Sequence, residues 1–408
     1  MLSFRKGDVV HSDEPYSAVV SDSLLGSVCS CCFSEFPRNR ANYNRCFGCG
    51  TVTYCSTACQ LEDADDHEIE CRIMSTSSEQ PDEYTRLILR TAARYSRERD
   101  IGQHTIGEYF GHRRIFDDLM SHIDDIGDDD LLRHFDYAKI IRKMLRSSET
   151  HISVELVMII ILKLCINAHS IIDSDSGTGK SLGAAVYLAA SIIDHTCECI
   201  DDYIQLFDGK RIYLKALRDF SVDDPLQIRT HYIALDYPYG RRQRLLLSKY
   251  YFKCKCNRCL IDAKLPGTRL LEDLESFLSM PADDSWWDAA REVFPYFSQI
   301  PVTNSYHHIL LKRLRNISSG LSCFGEASAF GYMALIGAAS VHEKQRILYH
   351  LSYDMARSGS NHPRSENYAI FRRIQKMTIE LLEDIFHKNH PLVLSIRKLT
   401  SLKRIKSS

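Results

Sequence analysis

The cysteines between positions 29 and 71 constrain the fold of this chain more than any other feature of its sequence. They follow the pattern C-x2-C, C-x2-C, C-x3-C and H-x3-C, and the residues are Cys29, Cys32, Cys46, Cys49, Cys55, Cys59, His67 and Cys71. Zinc prefers four nitrogen or sulfur donors in a tetrahedron, so these eight side chains suffice for two ions. A two-residue spacer predicts a tight turn, and a three-residue spacer predicts ligands on successive turns of a helix. A segment this short cannot bury an adequate apolar core, so metal binding must supply much of its folding free energy.

Reduced core cysteines or an iron–sulfur site are the alternatives for this segment. Eight ligands at regular spacing, one of them a histidine, favour zinc over both. Disulfides are not expected, because the N-terminus lacks the long apolar region of a secretory signal and the reducing interior of a cell is the expected compartment. Direct binding of nucleic acid is not expected either, since the chain has a formal net charge of -2 and the segment holds three arginines against seven acidic residues.

A second group of cysteines lies far downstream, where Cys254, Cys256 and Cys259 form C-x-C-x2-C. Three thiolates leave a zinc tetrahedron incomplete, so a fourth ligand must come from another part of the chain. Cys197 is the better candidate for that ligand and Cys199 the weaker one. A zinc ion held in this way would fix a distant segment beside the aromatic residues that precede Cys254.

The order of these parts resembles the SET and MYND family of protein lysine methyltransferases. The finger resembles the MYND type, and four further segments carry the resemblance. They are HSDEPYSAVV (residues 11–20), CINAHSI (165–171), LGAAVYLAASIIDHTC (182–197) and HYIALDYPYGRRQRLLLSKYYFKCKCNRC (231–259). The first is similar to an early strand pair of the family, the second to a segment that touches the cofactor, and the last is the most similar stretch.

The resemblance implies an α+β fold in which a split, β-rich SET domain contains the inserted finger and a helical insert, followed by an all-helical, tetratricopeptide-like domain. The implied boundaries are 1–28 for the first part of the SET domain, 29–71 for the finger, 72–164 for the helical insert, 165–262 for the SET core with its zinc site, and 263–408 for the C-terminal domain. It also implies interleaved zinc ligands. Cys29, Cys32, Cys55 and Cys59 would hold one ion, Cys46, Cys49, His67 and Cys71 a second, and Cys197, Cys254, Cys256 and Cys259 a third.

By the same resemblance, the chain is expected to use S-adenosylmethionine to methylate a lysine of a histone or another protein. The family chemistry needs few side chains, because a neutral amine attacks the methyl group in line and the enzyme mainly positions the reactants. Tyr232 and Tyr250 are then the expected catalytic-pocket residues. The expected cofactor contacts are Asn167, Asp194, His195, Tyr250 and Phe252, with the ring of Phe252 on the adenine.

Several departures from the family pattern favour an alternative, a catalytically weak or inactive adaptor that binds partner proteins. No glycine pair precedes the first strand, and Asp194 stands where the family has an asparagine. The sequence Pro225-Leu226-Gln227 replaces a glycine and two acids. In the finger, Gln60 is present but Ala64 stands where the family has a tryptophan that grips proline-rich peptides.

Apolar residues recur at helical spacing in the rest of the chain. From Asp82 to about Lys163, and again beyond Pro266, segments such as EYTRLILRTAARY, RLLEDLESFLSM, WWDAAREVF and ENYAIFRRIQKMTIELLEDIF predict helices. No apolar run is long enough to predict a membrane span. We expect a monomer in the cytoplasm, the nucleus or both, with partner proteins binding to the finger and the C-terminal domain.

Overall fold

Short strands and long helices alternate along the part of the chain that the computed structural model describes, which comprises residues 1–36, 43–77, 80–146, 152–174, 179–235, 237–263, 305–338 and 340–401. The strands are β1 (Leu2–Phe4), β2 (Val9–Asp13), β3 (Ser17–Val20), β4 (Asn44–Arg45), β5 (Thr53–Tyr54), β6 (Gly107–Tyr109), β7 (His112–Arg114), β8 (Ala168–Ile172), β9 (Ser181–Val186), β10 (Asp194–His195), β11 (Tyr203–Asp208), β12 (Arg211–Ala216), β13 (Phe220–Val222) and β14 (Arg229–Thr230). The helices are α1 (Thr57–Glu62), α2 (Ala64–Thr76), α3 (Glu83–Ile101), α4 (Asp128–Arg146), α5 (Val154–Asn167), α6 (Tyr239–Tyr250), α7 (Asn257–Asp262), α8 (Ser305–Gly320), α9 (Phe324–Ile336), α10 (Val341–Arg357), α11 (Tyr368–Ile385) and α12 (Pro391–Arg397).

Strands from both sides of the finger, residues 29–71, share two three-stranded sheets. One sheet has the order β11-β12-β2 and the other has the order β3-β9-β8. The strand pair expected within residues 11–20 therefore forms as β2 and β3, which join different sheets. Gly183 permits the close approach of β9 to β3, because a Cβ atom there would lie 2.0 Å from the carbonyl oxygen of Val19.

Helix α3 links the finger to the strands. The side chain of Asp82 caps its N-terminus by accepting from the backbone N–H of Thr85 at 2.7 Å. Gly102 ends it in the left-handed conformation, with φ of 65°. The apolar face of α3 is fully buried in the largest core, and each leucine or isoleucine buried there stabilises the fold by about 1.5–3 kcal/mol.

The segment expected to be a helical insert also contains a β-hairpin, which the helical periodicity did not predict. Strands β6 and β7 are antiparallel, and the two turn residues Phe110 and Gly111 have φ of 48° and 85°. Positive φ at both positions is typical of the turn that suits the twist of a two-residue hairpin. Tyr109 is fully buried and donates to the carbonyl oxygen of Pro225 at 3.0 Å, so the hairpin packs against the end of the strand region.

Helices α8 to α12 form the C-terminal region, as the apolar periodicity of this part predicted. Leu351, Phe371, Leu382 and Ile396 are at most 2% exposed in its core. A smaller apolar cluster joins the region to strand β11 through Ile204, Leu206, Val341 and Ile385. Two further expected helices, within residues 264–304, lie outside the described residues. Among the helices that the structure describes, none combines the length and the apolarity needed to cross a bilayer.

Candidate active site and metal centres

The first ligand group joins the start of the finger to its middle. The thiols of Cys29, Cys32, Cys55 and Cys59 lie within 4.8 Å of one another. Cys55 Sγ lies 3.7 Å from Cys32 Sγ and 3.5 Å from Cys59 Sγ. Zn–S bonds of about 2.3 Å in a tetrahedron place neighbouring sulfur atoms about 3.8 Å apart. The thiols are therefore spaced as a zinc ion requires.

The second ligand group contains the histidine of the pattern. Cys46, Cys49, His67 and Cys71 place their ligand atoms within 4.8 Å of one another, and His67 Nε2 lies 3.5 Å from Cys49 Sγ. The other ring nitrogen, Nδ1, lies 2.8 Å from Glu70 Oε2. A carboxylate at Nδ1 leaves Nε2 free for the metal and fixes the orientation of the ring.

The two pairs with a three-residue spacer, Cys55 with Cys59 and His67 with Cys71, are placed differently relative to the helices. His67 and Cys71 both lie on α2, one turn apart, as predicted. Cys55 lies outside a helix, because Ser56 caps the N-terminus of α1 with its side chain and only Cys59 lies within that helix. The prediction of successive helical turns was therefore wrong for Cys55.

A buried ion-pair network attaches the finger to α3. Glu70 is fully buried and accepts from Arg90 Nε at 2.8 Å. Arg90 also donates to both carboxylate oxygens of Asp63, at 2.7 and 3.1 Å. Burial alone would raise the pKa of Glu70, but Arg90 and His67 outweigh it and lower the pKa to about 2. The carboxylate that orients a predicted zinc ligand is thus held in place by the neighbouring helix, and the spacing of the cysteines gave no signal of this.

The third ligand group joins two distant segments. The thiols of Cys197, Cys254, Cys256 and Cys259 lie within 4.8 Å of one another, and three of the four side chains are buried. Cys199, the weaker candidate, is exposed and lies 3.3 Å from Asp201. The structure thus brings together the set of four that contains Cys197. Arg258 adds a second link, because it donates to the carbonyl oxygens of Cys197 at 3.1 Å and Leu235 at 2.9 Å.

His195 connects the third ligand group to the aromatic residues. The backbone N–H of Tyr232 donates to His195 Nδ1 at 3.0 Å, so Nδ1 is the acceptor nitrogen. The proton then lies on Nε2, 3.1 Å from Cys197 Sγ. Burial lowers the pKa of His195 to about 4, which keeps the ring neutral at physiological pH.

Three aromatic side chains converge beside this histidine. The rings of Tyr232 and Tyr250 are 4.8 Å apart, and the ring of Phe252 lies 6.5 Å from that of Tyr232. The Tyr232 hydroxyl donates to the carbonyl oxygen of Ile193 at 2.9 Å. Burial raises the pKa of Tyr232 well above its ordinary value, so the hydroxyl keeps its proton. Tyr232 lies two residues after strand β14.

A cavity of about 260 Å³ opens on these tyrosines. Its lining includes Asn167, Tyr232 and Tyr250, together with His169 and Lys249, which the sequence did not suggest as site residues. Their only signal was proximity, since each lies one or two positions from a predicted residue. The Nδ2 of Asn167 donates to the carbonyl oxygens of Met120 and Lys163 at 2.9 and 2.8 Å. The amide nitrogen is thus used within the protein, and its oxygen remains as the group that could contact a ligand.

The other three predicted cofactor residues take different positions. His195 and Phe252 pack behind the tyrosines, with ring centroids 6.0 Å apart, and neither is in the cavity lining. Asp194 is exposed on β10 and is also absent from that lining. A half-buried Phe252 ring offers a surface on which a planar base could stack, whereas the exposed Asp194 offers only a carboxylate acceptor.

Both the finger and a much longer part of the chain match known proteins. The family model of the MYND finger matches residues 29–71. A SET and MYND domain-containing protein of Dictyostelium discoideum is 28% identical over 298 residues, which cover 63% of this chain and 56% of that protein. Histone-lysine N-methyltransferase ASHR1 of Arabidopsis thaliana is 26% identical over 260 residues, covering 63% of this chain and 51% of that protein. N-lysine methyltransferase SMYD2 of Mus musculus is 26% identical over 268 residues, covering 64% and 57%.

The matched part of this chain spans little more than half the length of each of these relatives. The finger model lies where the zinc-ligand pattern predicted a finger, and the relatives extend the similarity far beyond it. The chain thus contains a MYND finger and is similar, well beyond that finger, to SET and MYND domain-containing proteins.

Proposed function

We propose that the chain is an S-adenosylmethionine-dependent protein-lysine N-methyltransferase. The observation that carries the proposal is the cavity beside Tyr232 and Tyr250, which backs onto His195 and the third ligand group. Relatives in plants and animals are named as lysine methyltransferases, which supports the same reaction here. The substrate would be a lysine side chain of a protein.

In this proposal, residues 1–28 and 165–262 form the two parts of one SET domain. Support comes from the pairing of β2 with β12 and of β3 with β9, which joins strands from both sides of the finger. The mostly helical segment 72–164 would be the insert, and the helices beyond residue 263 the tetratricopeptide-like domain. Antiparallel helix pairs such as α8 with α9 suit that architecture.

S-adenosylmethionine would supply an electrophilic methyl group on sulfur, and the protein would bind, orient and shield the reactants. The packed rings of Tyr232 and Tyr250 would form one wall that aligns a lysine side chain and excludes water. Neutral hydroxyls and carbonyl oxygens in the wall suit a partly positive carbon. Phe252 would stack on the adenine and Asn167 would contact the cofactor. His195, which lies behind the tyrosines, would act by positioning Tyr232.

Zinc would hold this pocket together. The ion bound by Cys197, Cys254, Cys256 and Cys259 would fix the segment of His195 against the end of α6, where Tyr250 lies. The two finger sites bring the expected content to three zinc ions per chain. Elemental analysis of the purified chain tests that number, and a content of two would show that the third site does not form.

Transfer of a labelled methyl group tests the reaction. Purified chain, radiolabelled S-adenosylmethionine and a mixture of core histones and extracted proteins are incubated, and the products are hydrolysed to identify methyl-lysine. The proposal predicts labelled lysine with the wild type and a strong loss with Tyr232→Phe. Equal label with both proteins would remove Tyr232 from the mechanism, and label on no lysine would contradict the proposal.

One observation favours a second candidate function, an adaptor without activity. Of the predicted cofactor residues, Asp194 is exposed and the amide nitrogen of Asn167 is occupied by backbone carbonyls. Such a protein would bind partner proteins through the finger and the C-terminal helices. It would still hold three zinc ions, but it would bind neither S-adenosylmethionine nor its product.

A further inference from the structure

A second cavity, of about 370 Å³, lies between the loop that follows Tyr232 and the C-terminal helices. Ala234 and Leu235 contribute from the loop. Helices α8, α9 and α10 contribute most of the other lining residues, which include Lys312, Arg315 and Arg346. The cavity is large enough for two or three side chains of a bound peptide, and it adjoins the segment that carries the proposed active site.

Positive charge dominates the walls of this second cavity. Its lining contains three cations, Lys312, Arg315 and Arg346, and one carboxylate, Glu343. Lys312 lies 2.7 Å from that carboxylate. Arg315 lies 2.7 Å from Asp354 of α10. Lys312 and Arg315, both on α8, therefore pair with carboxylates of α10.

Arg346 is the cation that remains. Its side chain is exposed, and within the described part of the chain it makes no ion pair. The N-terminus of α10 opens on the same cavity, because its capping residue Ser340 belongs to the lining. The positive end of a 17-residue helix adds to the field of the arginine. Both features belong to the lining of this cavity and favour an anion there.

The pKa of His350, which lines this cavity, reflects the same positive charge. Burial is the main cause that lowers the pKa of His350 to about 4, and repulsion from Arg315 and Arg346 adds to it. The His350 ring is therefore neutral at physiological pH, and it can donate a hydrogen bond to an anion without adding charge.

The two cavities are close enough to bind one peptide. Tyr232 lines the first and Leu235 lines the second, three positions further along the chain. Three residues of extended backbone span at most about 10 Å. A peptide with its lysine in the first cavity, beside Tyr232 and Tyr250, would then place a side chain two to four residues away in the second cavity.

We propose that the second cavity binds a carboxylate side chain of the protein substrate, two to four residues from the lysine that is methylated. The inference rests on the proposed function, because it defines the substrate class of the same site. Arg346 is the main binding residue, and the N-terminus of α10 assists it. The chain would therefore select lysines that have an acidic neighbour.

The test measures peptide binding without turnover. Fluorescein-labelled nine-residue peptides have a central lysine among alanine and serine, with one glutamate at two, three or four positions on either side. A matched set carries glutamine instead. Anisotropy titrations use the full-length chain with excess S-adenosylhomocysteine. At least one glutamate peptide should bind about tenfold more tightly than its glutamine partner at low salt, and the difference should shrink at high salt.

Two charge reversals on exposed arginines give a matched comparison. Arg346→Glu should abolish the preference for glutamate and favour a peptide with arginine at that position. Arg373→Glu changes an exposed arginine on α11, away from the cavity lining, and should leave the preference unchanged. Since both side chains are exposed, neither substitution should affect folding, and equal melting temperatures will check this.

Equal affinity for glutamate and glutamine peptides in every register would overturn the inference. So would an equal effect of Arg346→Glu and Arg373→Glu. Binding of S-adenosylhomocysteine, measured separately by calorimetry, distinguishes failure of this inference from failure of the proposed function. If the cofactor product binds and no acidic preference exists, only the substrate inference fails. If the cofactor product does not bind, the proposed function fails and takes this inference with it.

Discussion

The finger and the third ligand group both gather thiols, but they are assembled over different distances in the sequence. The eight ligands of the finger lie within residues 29–71, and a buried network around Glu70 and Arg90 attaches them to α3. The third group joins Cys197 to a distant C-x-C-x2-C segment and contacts His195, which in turn contacts Tyr232. The finger is therefore a module built from local spacing, whereas the third group supports, from behind, the tyrosines that line the first cavity.

This difference assigns different roles to zinc in the two regions. In the finger, metal binding replaces a core that the short segment cannot form. In the third group, metal binding holds two segments whose side chains line or support the proposed active site. Loss of zinc from the finger should unfold that module, and loss from the third group should remove the proposed cofactor site.

The largest expected effect comes from the third group. Cys197→Ser should remove one zinc ion and lower the affinity for S-adenosylhomocysteine by more than about tenfold. Cys46→Ser, the matched change in the finger, should also remove one zinc ion but change that affinity by less than about threefold, because the sites are separate. Elemental analysis and calorimetry measure both quantities. Equal losses of affinity in the two variants would show that the finger and the third group affect cofactor binding in the same way.

The next effect separates chemistry from pocket assembly. Tyr232→Phe removes the hydroxyl that donates to Ile193 and keeps the ring. The rate of methyl transfer should fall about a hundredfold, as when one preorganised polar group is removed from an active site. Zinc content and affinity for S-adenosylhomocysteine should stay near wild type. A matching collapse of cofactor affinity would mean that the hydroxyl supports the pocket and not the reaction.

Glu70→Gln tests the attachment of the finger. It leaves Arg90 without half of its buried carboxylate partners, so the stability of the finger should fall by about 3 kcal/mol. Faster zinc transfer to a chromophoric chelator and a lower melting temperature would report the loss. Glu68→Gln is the control on the same helix, because its pair with Arg72 is exposed and should contribute under about 1 kcal/mol. Unchanged cofactor affinity is expected in both variants.

The smallest effect concerns the link between the third group and the loop after Tyr232. Arg258→Gln and Arg258→Lys should each weaken the binding of S-adenosylhomocysteine about threefold, because neither can reach both carbonyl oxygens that the guanidinium group contacts. Lys255→Gln removes an exposed charge from the same segment and should have no effect. If Arg258→Lys binds as tightly as wild type, the charge of Arg258 matters and its hydrogen bonds do not.

The sequence predicted what depends on local spacing and less of what depends on long-range contacts. The finger was predicted because its ligands lie close together, and the family model confirms it. The helical C-terminal region also followed from residue patterns, whereas the mixed α and β composition followed from the family resemblance. The membership of β2 and β3 in different sheets did not, because strand pairing across more than a hundred residues leaves no local pattern.

The candidate site shows the same limit. The resemblance named Tyr232, Tyr250 and Phe252, and the structure brings their rings together. It could not show that the amide nitrogen of Asn167 is used by backbone carbonyls, since Met120 O lies on a distant loop. The ion pairs of Glu70 and the cations of the second cavity were equally hidden, because their partners come from separate helices.

Calorimetric titration of the zinc-loaded chain with S-adenosylhomocysteine tests the central claim most directly. The claim is that the third ligand group and the aromatic residues form a cofactor pocket. We predict saturable binding of one molecule per chain, and loss of that binding in Cys197→Ser but not in Cys46→Ser. No heat and no rise in melting temperature at about millimolar ligand would contradict the claim.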